Sequence, residues 1–406
     1  MIGHPAANSV PVVLVFCFLA ALCEGFDVQA AGIAAAGITR EFHATPAQLG
    51  LFFTAGSLGL TLGAVAGGRC ADRVGRKRVL VGSIGTFGLF ALATGFAPDV
   101  QTLTWMRVLT GFGLGGAMPN LIALASEVSK DSSRNVAMAT TYIGMPLGGT
   151  MASVAVALLG HEHWRSVFWI GGATPLIIAL AMAALMPASP APVPRPDDLR
   201  SSTKPGTFAD DLFGEQRLAS TLVLWIGFFL CVLSLHLLLN WLPLLLEGRG
   251  LSTTAAAYAQ AAFNIGGAAG GLLTGAVLDT RRRWVAIIAN VIGLPVIVLL
   301  FAISVAGSEL MIGLALLLGS AVLSAQVILY AVAGVLYSPS SRGTGMGAAV
   351  GVGRIGSIVG PALAAVLIGA GRTPSQVLLG VLPIVVACGL AVATLSTWHY
   401  RRAPHA

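Results

Sequence analysis

The chain has 406 residues, of which 56% are hydrophobic and 10% charged, and its mean hydropathy is +0.86. That balance excludes an ordinary soluble domain, in which about a quarter of the residues are charged. The formal net charge of +7 does not mark a nucleic-acid binder, because the basic residues gather in short loops between apolar stretches. About 20 apolar residues cross a bilayer core of roughly 30 Å. Stretches of that length recur along the chain and predict an all-α polytopic membrane protein with 12 transmembrane helices.

The first predicted span, 11–36, contains two carboxylates, Glu24 and Asp27. No small-residue cleavage site leads from it into a soluble domain, so it reads as a membrane helix and not as a secretory leader. A charge at bilayer depth costs at least about 2.5–3.5 kcal/mol and is functional by default. Three residues apart on a helix, the two acids share a face and can share a partner or a proton. Spans 47–68 and 79–98 follow, joined by GRCADRVGRKR at Gly68–Arg78. Its glycines permit close helix approach and a tight turn, and Asp72 can accept hydrogen bonds from a helix N-terminus or an arginine. Span 101–126 carries Arg107, and spans 135–160 and 164–187 complete a first half, residues 1–187. His161, Glu162 and His163 lie in the loop between the last two, with too few ligands for a metal expectation.

Residues 188–217 are rich in proline, serine and charge, and read as a cytoplasmic linker. The second half, 218–406, repeats the six-span plan: 218–246, 253–278, 284–306, 309–337, 342–371 and 375–399. Asn240 and Trp241 stand beside Pro243, which frees backbone groups nearby; the indole offers a face for an aromatic ring. Gln326 and Tyr330 are polar groups at depth in the tenth span, and Arg354 is a charge at depth in the eleventh. The halves echo each other. Gly59 and Gly266, Gly63 and Gly270, Gly68 and Gly275, and Asp72 and Asp279 are each 207 positions apart. With the N-terminus taken as cytoplasmic, inner loops hold Arg73, Arg76, Lys77, Arg78, Arg281, Arg282 and Arg283 among other bases. Outer loops hold only Arg40, Arg165, Arg249 and Arg372. The positive-inside rule then predicts that both termini are cytoplasmic.

Away from the span ends, four ionised residues remain well inside the predicted spans: Glu24, Asp27, Arg107 and Arg354. A guanidinium is permanently charged and grips a carboxylate through two parallel bonds, so either arginine can hold an organic anion. A carboxylate can carry a proton, because burial and a neighbouring arginine move its affinity in opposite directions. Gly111, Gly113 and Gly116, like Gly351, Gly353 and Gly356, spell G-x-G-x-x-G. Neither run follows a strand, so dinucleotide binding is not expected. No P-loop points to ATP, and no nucleophile–base or metal constellation points to an enzyme. The five cysteines show no CxxC spacing and read as packing residues.

The Gly68–Arg78 loop resembles the signature between the second and third spans of the major facilitator superfamily, and the Arg-x-x-x-Gly-x-Gly run at Arg107 resembles that superfamily's fourth-span motif. EGFDVQAAG, RVLTGFGLGGAMPNLIALASE, LNWLPLLL and GVGRIGSIVGP resemble the aromatic acid:H⁺ symporters over nearly the whole chain. That family usually has Asp where this chain has Glu24. The resemblance implies the major facilitator fold, two six-helix halves in a bacterial inner membrane, and uptake by alternating access. It implies that Asp27 and Glu24 are needed for transport, carrying the proton coupling, and that Arg107 and Arg354 serve coupling or anion binding. Asn240, Trp241, Gln326 and Tyr330, read as groups at depth, are the further candidates for substrate contact. Gly68, Asp72, Arg73, Gly75, Arg76, Lys77 and Asp279 would form the conformational switch. The expected cargo is a small aromatic carboxylate, 3-(3-hydroxyphenyl)propionate first, with hydroxybenzoate, protocatechuate or benzoate as alternatives, and proton-driven export as a different mode. H⁺ is the expected coupling ion, with no other cofactor, no nucleic acid, and a monomer in lipid.

Overall fold

A computed structural model describes residues 9–128, 134–186, 212–214, 217–304, 307–337 and 342–400. The chain divides into two compact units, Met1–Val193 and Pro194–Ala406. The first carries α1 (Ser9–Phe42), α2 (Pro46–Val74), α3 (Arg76–Thr94), α4 (Val100–Val128), α5 (Arg134–Leu159) and α6 (Trp164–Leu185). The second carries α7 (Leu218–Glu247), α8 (Thr253–Leu278), α9 (Arg283–Ile303), α10 (Ser308–Leu336), α11 (Arg342–Gly369) and α12 (Pro374–Tyr400). Among the described residues there is no strand, and ten helices are long and apolar enough to cross a membrane. Large apolar side chains face outward, Leu158 at 75%, Leu180 at 73% and Leu273 at 67% exposure. Water would penalise such a surface, whereas lipid tails match it.

Helix starts follow local chemistry. At α2, Thr45 accepts from the Gln48 amide at 3.3 Å while Gln48 Oε1 accepts from the Thr45 amide at 2.9 Å, with Pro46 in the first turn. Thr373, Pro374 and Gln376 repeat that box at α12, at 3.3 Å and 3.1 Å. Both satisfy amides that a helix start leaves unpaired. Since α1 runs on to Phe42, Arg40 is exposed in its last turn and not in a loop, as the sequence suggested.

Close helix crossings carry the repeat into three dimensions. A Cβ on Gly59 would strike the Val108 carbonyl, and one on Gly63 the Phe112 carbonyl, so α2 and α4 touch backbone to backbone. In the second unit Gly266 lies against Leu316 and Gly270 against Ser320 on α10. Small residues permit such contacts where no hydrophobic effect drives helices together. A second pair of crossings matches as well. Gly144 and Gly148 of α5 abut Phe18 and Leu22 of α1, and Gly356 and Gly360 of α11 abut Phe229 and Leu233 of α7.

The predicted linker 188–217 lies largely outside the described residues. Its end belongs to the second unit: Leu212 is fully buried there, and its carbonyl accepts from Thr221 Oγ1 at 2.8 Å.

Candidate transport site

The EGFD segment of α1 distributes its side chains among three neighbours. Gly25 lies against the Met145 backbone of α5, and Phe26 fills the space beside Gly171 of α6. Asp27 points to α4, where its Oδ2 accepts from Arg107 Nη1 at 2.7 Å. Glu24 is buried one turn earlier on α1, at 3% exposure.

Arg107 is held from three sides. Beyond its ion pair, Nη2 donates to the Asp27 carbonyl at 3.4 Å, and the guanidinium sits 5.8 Å from the centroid of Phe52 on α2. Gly56 of α2 lies beside the guanidinium: a Cβ there would meet Nη2 at 3.4 Å, an ordinary van der Waals contact. Asp27 and Arg107 are 1% and 5% exposed, so each is the other's main compensation for lost hydration. Phe52 and Gly56 escape sequence reasoning, because an aromatic and a glycine in an apolar span carry no signal of a nearby cation.

In the second unit, Arg354 is half-buried on α11, and no described carboxylate pairs with it. Asn240 of α7 is buried and donates from Nδ2 to the His236 carbonyl at 2.8 Å, one turn back on its own helix. Trp241 has no exposed surface, and its indole donates to the Pro361 carbonyl at 3.0 Å. That makes it a tie between α7 and α11, and its ring face is not open as the sequence suggested. Tyr330 of α10 is half-buried and meets Phe228 of α7 edge-on at 5.0 Å, and Gln326 lies one turn before it on the same face.

The loop residues take separate tasks. Gly75 joins α2 to α3 at φ +89°, a conformation that favours glycine, and so supplies the tight turn. Lys77 Nζ donates to the Ala183 carbonyl at 3.0 Å and to that of Met186, capping the C-terminal end of α6. Gly68 has open space where a Cβ would be, so close approach belongs instead to Gly59, Gly63 and Gly67. Arg73 is exposed and Arg76 half-buried, while the side chain of Asp72 lies outside the described residues. Asp279 is exposed at the end of α8.

Twelve long helices in two matching units, ten of them long and apolar enough to cross a membrane among the described residues, with an ion pair buried inside one unit, define a polytopic carrier. The family model of the Major Facilitator Superfamily matches residues 17–361 and 224–405, and the chain belongs to that superfamily. It is a transporter and not an enzyme. It is 38% identical over 403 residues to a 3-(3-hydroxy-phenyl)propionate transporter of Escherichia coli K12, covering 98% of both chains. It is 34% identical to a gallate transporter of Pseudomonas putida, covering 98% of this chain and 94% of that one. Among solved structures, a bacterial homologue of the human lysosomal transporter Spinster superposes with a TM-score of 0.80 at 17% identity, over 99% of this chain and 100% of that one.

Proposed function

We propose that the protein imports a small aromatic carboxylate together with H⁺ across the bacterial inner membrane, by alternating access, with both termini cytoplasmic. The observation that carries this reading is the Asp27–Arg107 pair, 2.7 Å apart and almost wholly withdrawn from solvent. Protonating Asp27 removes the charge that holds Arg107, and a guanidinium left in a low-dielectric site recruits another carboxylate. The Asp27 carboxylate and the organic anion thereby become alternative partners of Arg107, and proton and anion load together. Glu24 supplies a second carboxyl one turn away on α1.

Arg354 is the anion-binding group of the second half, with Asn240, Gln326 and Tyr330 offering polar contacts to the ring and its substituents. Gly68, Asp72, Arg73, Gly75, Arg76, Lys77 and Asp279 belong to the switching loops. The substrate is 3-(3-hydroxyphenyl)propionate, a reading supported by the 38% identity to a transporter of that compound. The test is uptake of labelled 3-(3-hydroxyphenyl)propionate into proteoliposomes with and without an inward H⁺ gradient, with gallate, 4-hydroxybenzoate and benzoate as competitors. Gradient-driven accumulation resisting the shorter acids is expected. Accumulation of a shorter acid in its place would reassign the substrate, and indifference to the gradient would remove the coupling.

A further inference from the structure

From Cys231 to Pro243 every residue of α7 is buried except His236, which is half-buried. Its ring is oriented by the helix: Nδ1 lies 3.0 Å from the Val232 carbonyl oxygen. A carbonyl can only accept, so Nδ1 carries hydrogen in both protonation states, and Nε2 is the nitrogen whose state can change. The crossing of α7 with α11, made close by Gly356 and Gly360, also seats the residue before Arg354 one turn ahead of His236: a Cβ on Gly353 would lie 3.3 Å from the Val232 side chain.

The repeat gives this position a counterpart. Gly144 and Gly356 differ by 212 positions, as do Gly148 and Gly360, while their carbonyl partners Phe18 and Phe229, and Leu22 and Leu233, differ by 211. The same interval of 211 carries Gly25 to His236. His236 therefore occupies on α7 the place next to Glu24 on α1. The other charged or titratable groups on the helices packed against α7 are Tyr258 of α8, Glu309 and Tyr330 of α10, Arg354 of α11 and Cys388 of α12 among the described side chains. Of these, Arg354 stands next to Gly353, which packs on Val232 one turn before His236.

We propose that Arg354 and His236 together seat the substrate carboxylate, and that His236 binds one proton at Nε2 as the carboxylate arrives. Two adjacent positive charges repel, and a carboxylate between them turns that repulsion into two attractions. The proton comes from solvent onto the imidazole lone pair and no bond of the substrate changes. The second half thus contributes a titratable group to loading, separate from Asp27 and Glu24. This inference rests on the aromatic-carboxylate reading above.

The experiment is calorimetric titration of the whole reconstituted protein with 3-(3-hydroxyphenyl)propionate and with benzoate, in buffers of different ionisation enthalpy, which counts protons taken up per ligand bound. His236→Gln keeps a donor but cannot titrate. It is expected to bind with up to one proton fewer than wild type, and to lose up to a tenfold dependence of Kd per pH unit. An unchanged proton count and pH slope overturn the role of His236 while leaving the transporter reading intact. Failure of wild type to bind either acid overturns that reading and this inference with it. Should the variant misfold, nitrogen-15 NMR of the wild-type histidines decides. Ligand addition should convert Nε2 of His236 from a bare acceptor to a protonated nitrogen, and an unaltered signal rejects the proposal.

Discussion

Asp27 and Arg107 meet at 2.7 Å with 1% and 6% of their side-chain surfaces exposed, so neither can lose the other without leaving a charge stranded in an apolar bundle. Removing one partner of such a pair costs about 3–5 kcal/mol, far more than an exposed pair is worth. Arg107→Ala should lower thermal stability in detergent by an amount of that order. The double variant Asp27→Ala, Arg107→Ala should recover part of the loss. Additive effects in that cycle would show that the pair is not the main compensation of either charge. Asp27→Asn should remain folded yet no longer accumulate substrate against its gradient, and undiminished uphill uptake would dismiss the coupling role of Asp27.

Gly63 and Gly68 should answer the same substitution in opposite ways. A methyl at Gly63 runs into the Phe112 carbonyl, whereas the space at Gly68 is open. Gly63→Ala should destabilise by about 1–3 kcal/mol through overpacking, and Gly68→Ala should stabilise by about 0.5–1 kcal/mol through helix propensity. Melting temperatures of the two purified variants check both signs.

Trp241→Phe removes the N–H that reaches the Pro361 carbonyl at 3.0 Å and keeps most of the apolar bulk. The expected cost is about 0.5–1.5 kcal/mol of stability, with substrate Kd unchanged. A ring face used for substrate stacking would show the reverse pattern, a raised Kd at nearly constant stability.

The charges at depth are legible in the sequence because their cost makes them conspicuous. Their pairing is not. Asp27 meets Arg107, 80 positions away, because glycine contacts seat α1 and α2 against their neighbours, and those contacts span many tens of residues. Trp241 shows the same limit: its partner Pro361 is 120 positions away, so a buried tie and a ligand-facing ring look alike in one dimension. The TPAQ and TPSQ helix starts are the contrasting case, a four-residue pattern whose chemistry is wholly local. The glycine repeat at 207 is readable as spacing, and only the backbone contacts at Gly59 and Gly266 show what the spacing is for.

Replacing Arg354 with Lys should weaken binding of aromatic acids by roughly tenfold or more, since a planar fork becomes a single point charge. Equilibrium binding of benzoate and 3-(3-hydroxyphenyl)propionate measures it. Equal affinities in wild type and variant would move the anion site to Arg107.

The grip of Lys77 on the Ala183 and Met186 carbonyls has a mechanical side. Those bonds tie the C-terminal end of α6 to the corner at Gly75 between α2 and α3. A displacement of that corner therefore carries the end of α6 with it, and the two move as one lever.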